Sequence, residues 1–418
     1  MVTTVKTATV CVVGAGYVGL PLSTALGNDY RVISFDIDKD KIKSLSEQNG
    51  NPNHIFTSHP DLMTEADFII ICVPTLLSRS KQLDMSHLKD AASIVGRYMK
   101  NGAIIIVESS VYPGATEEVV KPILEQVSGY ECGQDFKLAY SPERINPGDS
   151  EHSVDRITKI VSACDEETLE RVADFYSHVT SNIFKARNIQ TAEAAKLVEN
   201  TQRDLNIALI NELSILFQKM GINTKDVLDA AATKWNFQKF SPGMVGGYCI
   251  PVVPHFLVQK AEEYGCHLQV ILAGRSVNDF MPKHIAEMAV KSINDRGKVI
   301  KGSKVLIMGC TYKEDVADTR KTPVRDLIRE LREYGVEVYG YDPLVSDGEG
   351  DFGIRFIDTL FEVPKVDCII LTLVHSSFEE LSMDKLMSIS NLHPTIIDIR
   401  GFFATLQNPD PEIDYKCL

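Results

Sequence analysis

The sequence predicts an α/β protein made of two doubly wound parallel sheets joined by a long central helix and a helical middle domain. Three observations carry that reading. Short β-rich apolar runs alternate with helical patterns through the first 190 residues, as in a parallel sheet covered by helices on both faces. The same grammar returns after residue 299. Between them, apolar residues recur at helical spacing from Thr191 to about Met220. A length of 418 residues, at about 150 per domain, fits two or three domains. The expected divisions are 1–190, 191–298 and 299–418.

In the first segment, Thr9 to Val13, Arg31 to Asp36, Asp67 to Val73 and Ala103 to Glu108 read as buried strands. Leu138 to Tyr140 follows, then a turn-rich loop, SPERINPGD, and a further strand candidate, Thr158 to Ser162. Thr191 is placed to cap the long helix, and Gly221 to stop it. Its apolar positions, among them Leu197, Val198, Leu205, Leu209 and Leu216, fall on more than one face, as in a helix buried against a second subunit. The polar stretch Asn294 to Lys304 leads into the second sheet. There KVLIMG (304–309), VEVYGYD (336–342), VDCIILTLV (366–374) and TIIDIRG (395–401) correspond in order to the four strands of the first.

Lys and Arg total 43 against 57 Asp and Glu, a net charge of −14. So acidic a surface repels phosphate backbones, and no basic block offsets it, which excludes nucleic acid as a partner. No stretch reads as a signal peptide or a membrane span, so a cytoplasmic protein is expected. Nine cysteines with no C-x-x-C pair indicate neither a zinc site nor a disulfide framework, and no metal is expected. Cys11, Cys72, Cys310 and Cys368 lie inside apolar runs as small core side chains.

Gly14, Gly16 and Gly19 form G-x-G-x-x-G between a strand and a helical pattern, which makes the sheets Rossmann-like. Asp36, at the end of the second strand, is placed to accept from ribose hydroxyls and would repel a 2′-phosphate, so NAD is favoured over NADP. The second copy reads GCTYKED at this turn and lacks the spaced glycines, so another ligand is expected there. Pro74 and Thr75 close the third strand and Ser109 and Ser110 the fourth, at the edge where open α/β sheets bind ligands. Pro74 fits a plain strand terminator as well. Lys196 and Asn200 share one face of the long helix, as functional groups or as part of a solvated stripe with Glu193, Glu199 and Arg203. Cys249 sits in PGMVGGYCIP, where Gly246 and Gly247 permit close backbone approach and Pro251 and Pro254 stiffen the loop. That makes it a nucleophile candidate without an obvious base, His255 being six residues on.

These pieces in this order resemble the UDP-glucose and GDP-mannose dehydrogenase family, most closely its UDP-N-acetylhexosamine 6-dehydrogenase branch. The resemblance rests on GAGYVG at 14, ESSVYPGATEE at 108, SPERINPGD at 141, AEAAKLVENTQRDLNIALINE at 192, PGMVGGYCIP at 242 and GCTYKEDVADTRKTPV at 309. It implies two NAD-dependent oxidations of a sugar C6 alcohol to a carboxylate through a thiohemiacetal and a thioester on Cys249. Lys196 and Asn200 would stabilise the developing oxyanion, and Glu143 and Ser110 would order the hydrolytic water. Tyr17 and Val18 would join the glycines, Pro74, Thr75, Ser109, Ser110 and Lys313 at the cofactor. Arg144, Gly246, Gly247, Lys313, Arg320 and Arg400 would join Glu143, Lys196 and Asn200 at the UDP-sugar. A homodimer built on the long helix is implied, as is a role in surface polysaccharide synthesis.

The sequence departs from that pattern in four places. Val253 stands where an acid/base Asp is usual, and Tyr248 where His commonly precedes the Cys. The stretch Asn49 to His59 is short, and Leu76 rather than Pro follows VPT. A UDP-glucose 6-dehydrogenase, or a weakened homologue that binds NAD and nucleotide sugar without efficient turnover, are the competing readings. A two-electron hydroxyacid dehydrogenase is disfavoured by the second sheet.

Overall fold

The computed structural model describes residues 8–78, 81–144, 155–345, 352–378, 380–404 and 412–418. They form two compact units, 1–200 with 252–267, and 201–251 with 268–418. In the first unit the strands are β1 (Thr9–Val13), β2 (Arg31–Phe35), β3 (His54–Thr57), β4 (Phe68–Ile71), β5 (Leu76–Leu77) and β6 (Leu83–Asp84). They continue as β7 (Ile104–Val107), β8 (Lys137–Tyr140), β9 (Lys159–Ala163) and β10 (Ile183–Lys185). The main sheet runs β10-β9-β8-β7-β4-β1-β2-β3, while β5 and β6 make a small separate ladder. Main-sheet pairings are parallel except β8 with β9.

Runs such as FIII in β4 and IIIV in β7 are apolar at every position because both faces of the sheet are covered. Helices α1 (Gly19–Leu26), α2 (Lys39–Gln48), α3 (Ser86–Tyr98), α4 (Lys121–Ser128) and α5 (Glu166–Ser177) supply the crossovers. Side chains alternate along β1. Cys11 and Val13 pack with Leu88 and Val95 of α3 and Leu124 of α4, whereas Val10 and Val12 pack with Leu22 and Leu26 of α1 and Val172 of α5. On the latter face Phe68 stacks on Phe175 with ring centroids 4.4 Å apart. Burial pushes the Cys11 thiol up to about 12, so this cysteine is core filling rather than chemistry.

The order of β1, β2, β3, β4 and β7 opens a crevice between β1 and β4, where successive connections leave in opposite directions. The second unit repeats it. Its strands β11 (Lys304–Met308), β12 (Glu337–Tyr341), β13 (Arg355–Phe356), β14 (Val366–Leu371), β15 (Ser390–Asp398) and β16 (Asp414–Cys417) form one parallel sheet ordered β13-β12-β11-β14-β15-β16. The expected pair of doubly wound sheets is therefore present. Sequence reading had not identified β3, which forms inside the short stretch 49–59, nor the brief edge strands β10 and β16.

Helix α6 (Ile189–Met220) gives its first part to the first unit and the remainder to the second. It begins earlier than the sequence suggests. Asn188, not Thr191, is the cap, because its Oδ1 accepts from the Thr191 N–H at 2.8 Å and from the Thr191 hydroxyl at 2.7 Å. Gly221 stops the helix at φ +70°, as expected. After α7 (Thr224–Ala231), the chain returns to the first unit for α8 (Val253–Glu263) and then forms α9 (Gln269–Asp295) of the second. Helices α9 and α10 (Val324–Glu333) cover one face of the second sheet through Ile285, Ala289, Leu327 and Leu331, and α11 (Met383–Ser388) covers the other through Leu386.

Asn188→Ala should lower the unfolding free energy by about 1 kcal/mol, and Asn188→Ser should recover most of it. Thr191→Ala should cost less, which denaturant titration of the three variants checks.

Candidate active site

In the first unit, the turn after β1 is shaped by its glycines. Gly14 has φ +103°, and a Cβ there would lie 2.8 Å from the Cys72 carbonyl oxygen. A Cβ on Gly19 would come within 1.8 Å of the Gly14 carbonyl oxygen, so α1 packs on the turn at a distance that only glycine permits. Around Gly16 the space is open, with nothing within 4 Å of such a Cβ. Gly16 and Tyr17 are exposed and Val18 is half-buried at the start of α1. An open cradle at a helix N-terminus suits a pyrophosphate.

Asp36 stands beside this cradle, just past β2. It accepts from the Ala15 N–H at 2.9 Å, the Asp38 N–H at 3.0 Å and Lys41 Nζ at 2.9 Å. Burial works to raise its pKa, but Lys41 and these N–H groups outweigh it and hold the carboxyl below its usual range. The residues thus fit a dinucleotide: a tight turn, an open glycine and an ionised carboxylate. Lys41 was missed from sequence because it lies a turn inside α2. The loops after β4 and β7 are latched together, since Thr75 Oγ1 donates to the Ser110 carbonyl at 2.6 Å and Ser109 Oγ to the Val73 carbonyl at 2.6 Å. Pro74 is exposed at this edge.

The face of α6 that carries Lys196 and Asn200 is not a solvated stripe. Glu193, Lys196 and Asn200 are 0%, 8% and 5% exposed, whereas Arg203 is exposed. Glu193 accepts from the N–H groups of Gly114 and Thr116, tying the loop after Ser110 to the helix. Burial pushes its carboxyl up to about 7. Lys196 Nζ donates to the Glu143 carbonyl. Asn200 Nδ2 is buried with no hydrogen-bond partner, a donor held ready at a cost of about 1–3 kcal/mol. Arg144 is bound by Glu199 at 2.8 Å and by the Thr158 carbonyl at 2.7 Å. Residues 145–149 of SPERINPGD lie outside the described residues.

Val253, the first residue of α8, is buried with Leu197, Val252 and Phe256, against half-buried Leu77, Leu83 and Tyr112. Hydrocarbon therefore surrounds the position at which the resemblance expects a carboxylate.

In the second unit, Asn211 of α6 fixes the start of the cysteine loop. Its Nδ2 donates to the Gly243 carbonyl at 3.0 Å and its Oδ1 accepts from the Gly243 N–H at 2.8 Å. Asn278 of α9 orients that amide by accepting from Asn211 Nδ2 at 2.8 Å while donating to Asp204. Arg275 completes the set with a 2.6 Å ion pair to Asp204. Gly246 and Gly247 then dock against residues 312–323. A Cβ on Gly246 would lie 2.6 Å from Pro323 Cδ, and one on Gly247 2.9 Å from the Tyr312 ring. Cys249 follows and is exposed.

Arg320 makes a two-point pair with Asp318 at 3.0 and 3.1 Å and stacks over the ring of Tyr248, next to Cys249. Arg400 pairs with Glu314 at 3.1 Å and lies beside Gly243. Lys313 is half-buried, and its carbonyl accepts from Thr311 Oγ1. Asp342 is the counterpart of Asp36: it accepts from the Cys310 and Thr311 N–H groups. Here, however, the third partner of the accepting oxygen is the buried His375, whose Nε2 lies 3.1 Å away, where Asp36 has Lys41. Among the described residues, no cluster of three or more His, Cys, Asp or Glu could hold a metal, and no helix is long and apolar enough to cross a membrane.

Three family models match the chain. They are the NAD binding domain of the UDP-glucose/GDP-mannose dehydrogenase family over residues 8–52 and 46–180, its central domain over 190–280 and its UDP binding domain over 306–405. Protein CapL of Staphylococcus aureus is 44% identical over 406 residues, covering 94% of this chain and 95% of that protein. A UDP-N-acetyl-D-glucosamine 6-dehydrogenase of Pseudomonas aeruginosa is 42% identical over 410 residues, covering 94% and 97%. The solved structure of a UDP-D-ManNAc dehydrogenase from Pyrococcus horikoshii superposes with a TM-score of 0.88 at 27% identity, covering 98% of each chain.

Gly16→Ala and Gly19→Ala should part company. The first should leave cofactor-free stability within about 0.5 kcal/mol and weaken NAD binding, and the second should destabilise the fold itself. Denaturant unfolding and NAD titration of both variants check this, and equal destabilisation would reject Gly16 as the open position.

Proposed function

Because the chain belongs to the UDP-glucose/GDP-mannose dehydrogenase family, we propose that it oxidises the C6 hydroxyl of a UDP-N-acetylhexosamine twice to give the uronic acid. The observation that carries this reading is the buried donor pair Lys196 and Asn200 beside Glu143, in a chain 42% identical to a UDP-N-acetyl-D-glucosamine 6-dehydrogenase. Residues 1–190 serve NAD, 299–418 the UDP-sugar, and 191–298 carry the Lys and Cys of the chemistry. The product suits surface polysaccharide. The exposed apolar residues Val198, Leu209, Leu216 and Met220 on α6 suit a homodimer.

Bound NAD accepts one hydride at each of the two oxidations. The protein's own groups do the rest. Gly14, Gly16, Tyr17, Val18 and Gly19 shape the phosphate cradle, Asp36 accepts from the ribose, and Pro74, Thr75, Ser109 and Ser110 line the crevice edge, with Lys313 shared between cofactor and sugar nucleotide. Loss of a hydroxyl proton and a hydride makes the C6 aldehyde, to which the Cys249 thiolate adds as a thiohemiacetal. The second oxidation leaves a thioester. Water then bonds to the acyl carbon, the C–S bond breaks, and thiolate returns to Cys249. Lys196 and Asn200 donate to the oxygen as it gains charge. Glu143 and Ser110 order the water. Gly246 and Gly247 let the cysteine loop approach the sugar, while Arg144, Arg320 and Arg400 bind the anionic substrate.

Counting NADH formed per sugar across UDP-N-acetylglucosamine, UDP-N-acetylmannosamine and UDP-glucose tests the reading. Two per N-acetyl sugar are expected, and preference for UDP-glucose would favour the alternative substrate. Cys249→Ser should block turnover at or after the aldehyde, since an alkoxide is a far poorer leaving group than a thiolate. Two NADH at the native rate from that variant would rule out covalent catalysis.

Val253 favours one second reading, a weakened enzyme that binds both ligands but turns over slowly. Its apolar surroundings supply no carboxylate at that point. The first position of a helix nevertheless tolerates an anion. Val253→Asp should therefore fold and raise kcat with little change in KM, toward the 10²- to 10⁴-fold typically contributed by acid/base groups. A native kcat that this substitution leaves unimproved would dismiss the weakened reading.

A further inference from the structure

The first unit holds a buried ion cluster that the scheme above does not use. Lys159, the first residue of β9, is 3% exposed, with its Nζ 2.9 Å from Glu108 Oε1 and 3.7 Å from Glu143 Oε2. Its ammonium lies 4.9 Å over the Tyr176 ring of α5, and the Tyr176 hydroxyl donates to Glu108 Oε1. Glu108 Oε2 is buried with no hydrogen-bond partner. Two carboxylates thus share one ammonium, with Glu108 and Lys159 fully enclosed and Glu143 at the edge of the cluster. Such a cluster is a poor source of stability, because desolvating three charges offsets most of their attraction. Its position matters more: it is built against Glu143, whose carbonyl receives Lys196 and whose other oxygen, Oε1, accepts the Arg144 N–H.

The described groups around Glu143 come from several elements. Lys159 comes from β9, Glu108 from the end of β7, Tyr176 from α5, and the Cys72 thiol from the end of β4. Lys196 comes from α6, as does Glu199, which acts through Arg144. Burial, only partly offset by Lys159, pushes Glu108 up to about 7.

We propose that Lys159 is a positioning residue for the hydrolytic step: it holds the Glu143 carboxylate in place for the water that attacks the Cys249-bound acyl group, and Glu108 anchors its ammonium. This rests on the covalent reading given above. In that step the water oxygen bonds to the acyl carbon, one water proton passes to the Glu143 carboxylate, and the C–S electron pair leaves on Cys249 sulfur. Lys159 touches none of the reacting atoms. Its influence falls on the direction of Glu143, so it bears on hydrolysis rather than on the two oxidations.

Rapid mixing of enzyme, NAD and UDP-N-acetylglucosamine, with hydroxylamine trapping of bound thioester, separates the two. Lys159→Met should slow hydrolysis at least about tenfold more than it slows NADH formation, within the range of base catalysis, and should accumulate trappable acyl-enzyme. Lys159→Arg should recover most of the rate. Glu108→Gln, which removes the closer carboxylate that anchors the Lys159 ammonium, should likewise accumulate trappable acyl-enzyme, and that variant carries the test if Lys159→Met does not fold. Equal slowing of both phases, or a Lys159→Arg variant as slow in hydrolysis as Lys159→Met, would overturn the proposal. Glu143→Gln serves as the control: acyl-enzyme accumulating there but not in Lys159→Met defeats this inference alone, whereas its absence from both defeats the covalent reading and this inference with it.

Discussion

One constraint organises much of this molecule: α6 carries a line of buried polar groups, and each must find a partner. A polar side chain taken from water without a hydrogen bond costs several kcal/mol at worst, about 1–3 in typical protein contexts. Along the helix, Glu193 takes two backbone N–H groups, Lys196 a carbonyl, Asp204 an arginine and an asparagine, and Asn211 both backbone groups of a glycine. Five of these contacts fasten backbone to the helix, so α6 acts as a template for loops that have no regular structure of their own. Asn200 Nδ2 stays unpartnered, as do Thr201 Oγ1 and Asp204 Oδ2 farther along the helix.

The cysteine loop shows how such a template substitutes for packing. Gly246 and Gly247 lack side chains with which to build a core. The loop is held instead by the Asn211 amide at one end and by close contact with Tyr312 and Pro323 farther on. Cys249 is thereby exposed on a fixed backbone rather than buried like Cys310 or Cys368, whose thiols burial pushes up. Placement distinguishes the reactive candidate from its inert neighbours.

Much of this was legible in the sequence because it is local. Apolar runs marked the central strands of both sheets, the spaced glycines marked the turn after β1, and a four-residue interval put Lys196 and Asn200 on one face. What sequence left hidden is pairwise and remote. Lys159 and Glu108 are unremarkable charged residues until the sheet sets their strands together. Glu193 looked like one more solvated residue because its partners are backbone N–H groups, which no sequence pattern displays. Asn188 and Thr191 are both good capping types, and only where the first turn closes decides between them. The short edge strands β10 and β16 carry too few apolar residues for periodicity to register.

The two sheets share a detail whose meaning lies in what differs around it. In each, a carboxylate at the end of the second strand grips N–H groups of the first turn, as Asp36 does with Ala15 and Asp342 with Cys310 and Thr311. The primary duty of that acid is architectural, holding the turn shut against the neighbouring strand. What differs is the further partner on the gripping oxygen, the Lys41 ammonium in the first sheet and the His375 imidazole in the second. The two copies thus share one architectural clasp and differ in the side chain set against it, a partly exposed ammonium in the first and a buried imidazole in the second, so a repeated fold can keep its turn shut while changing the charge it shows there.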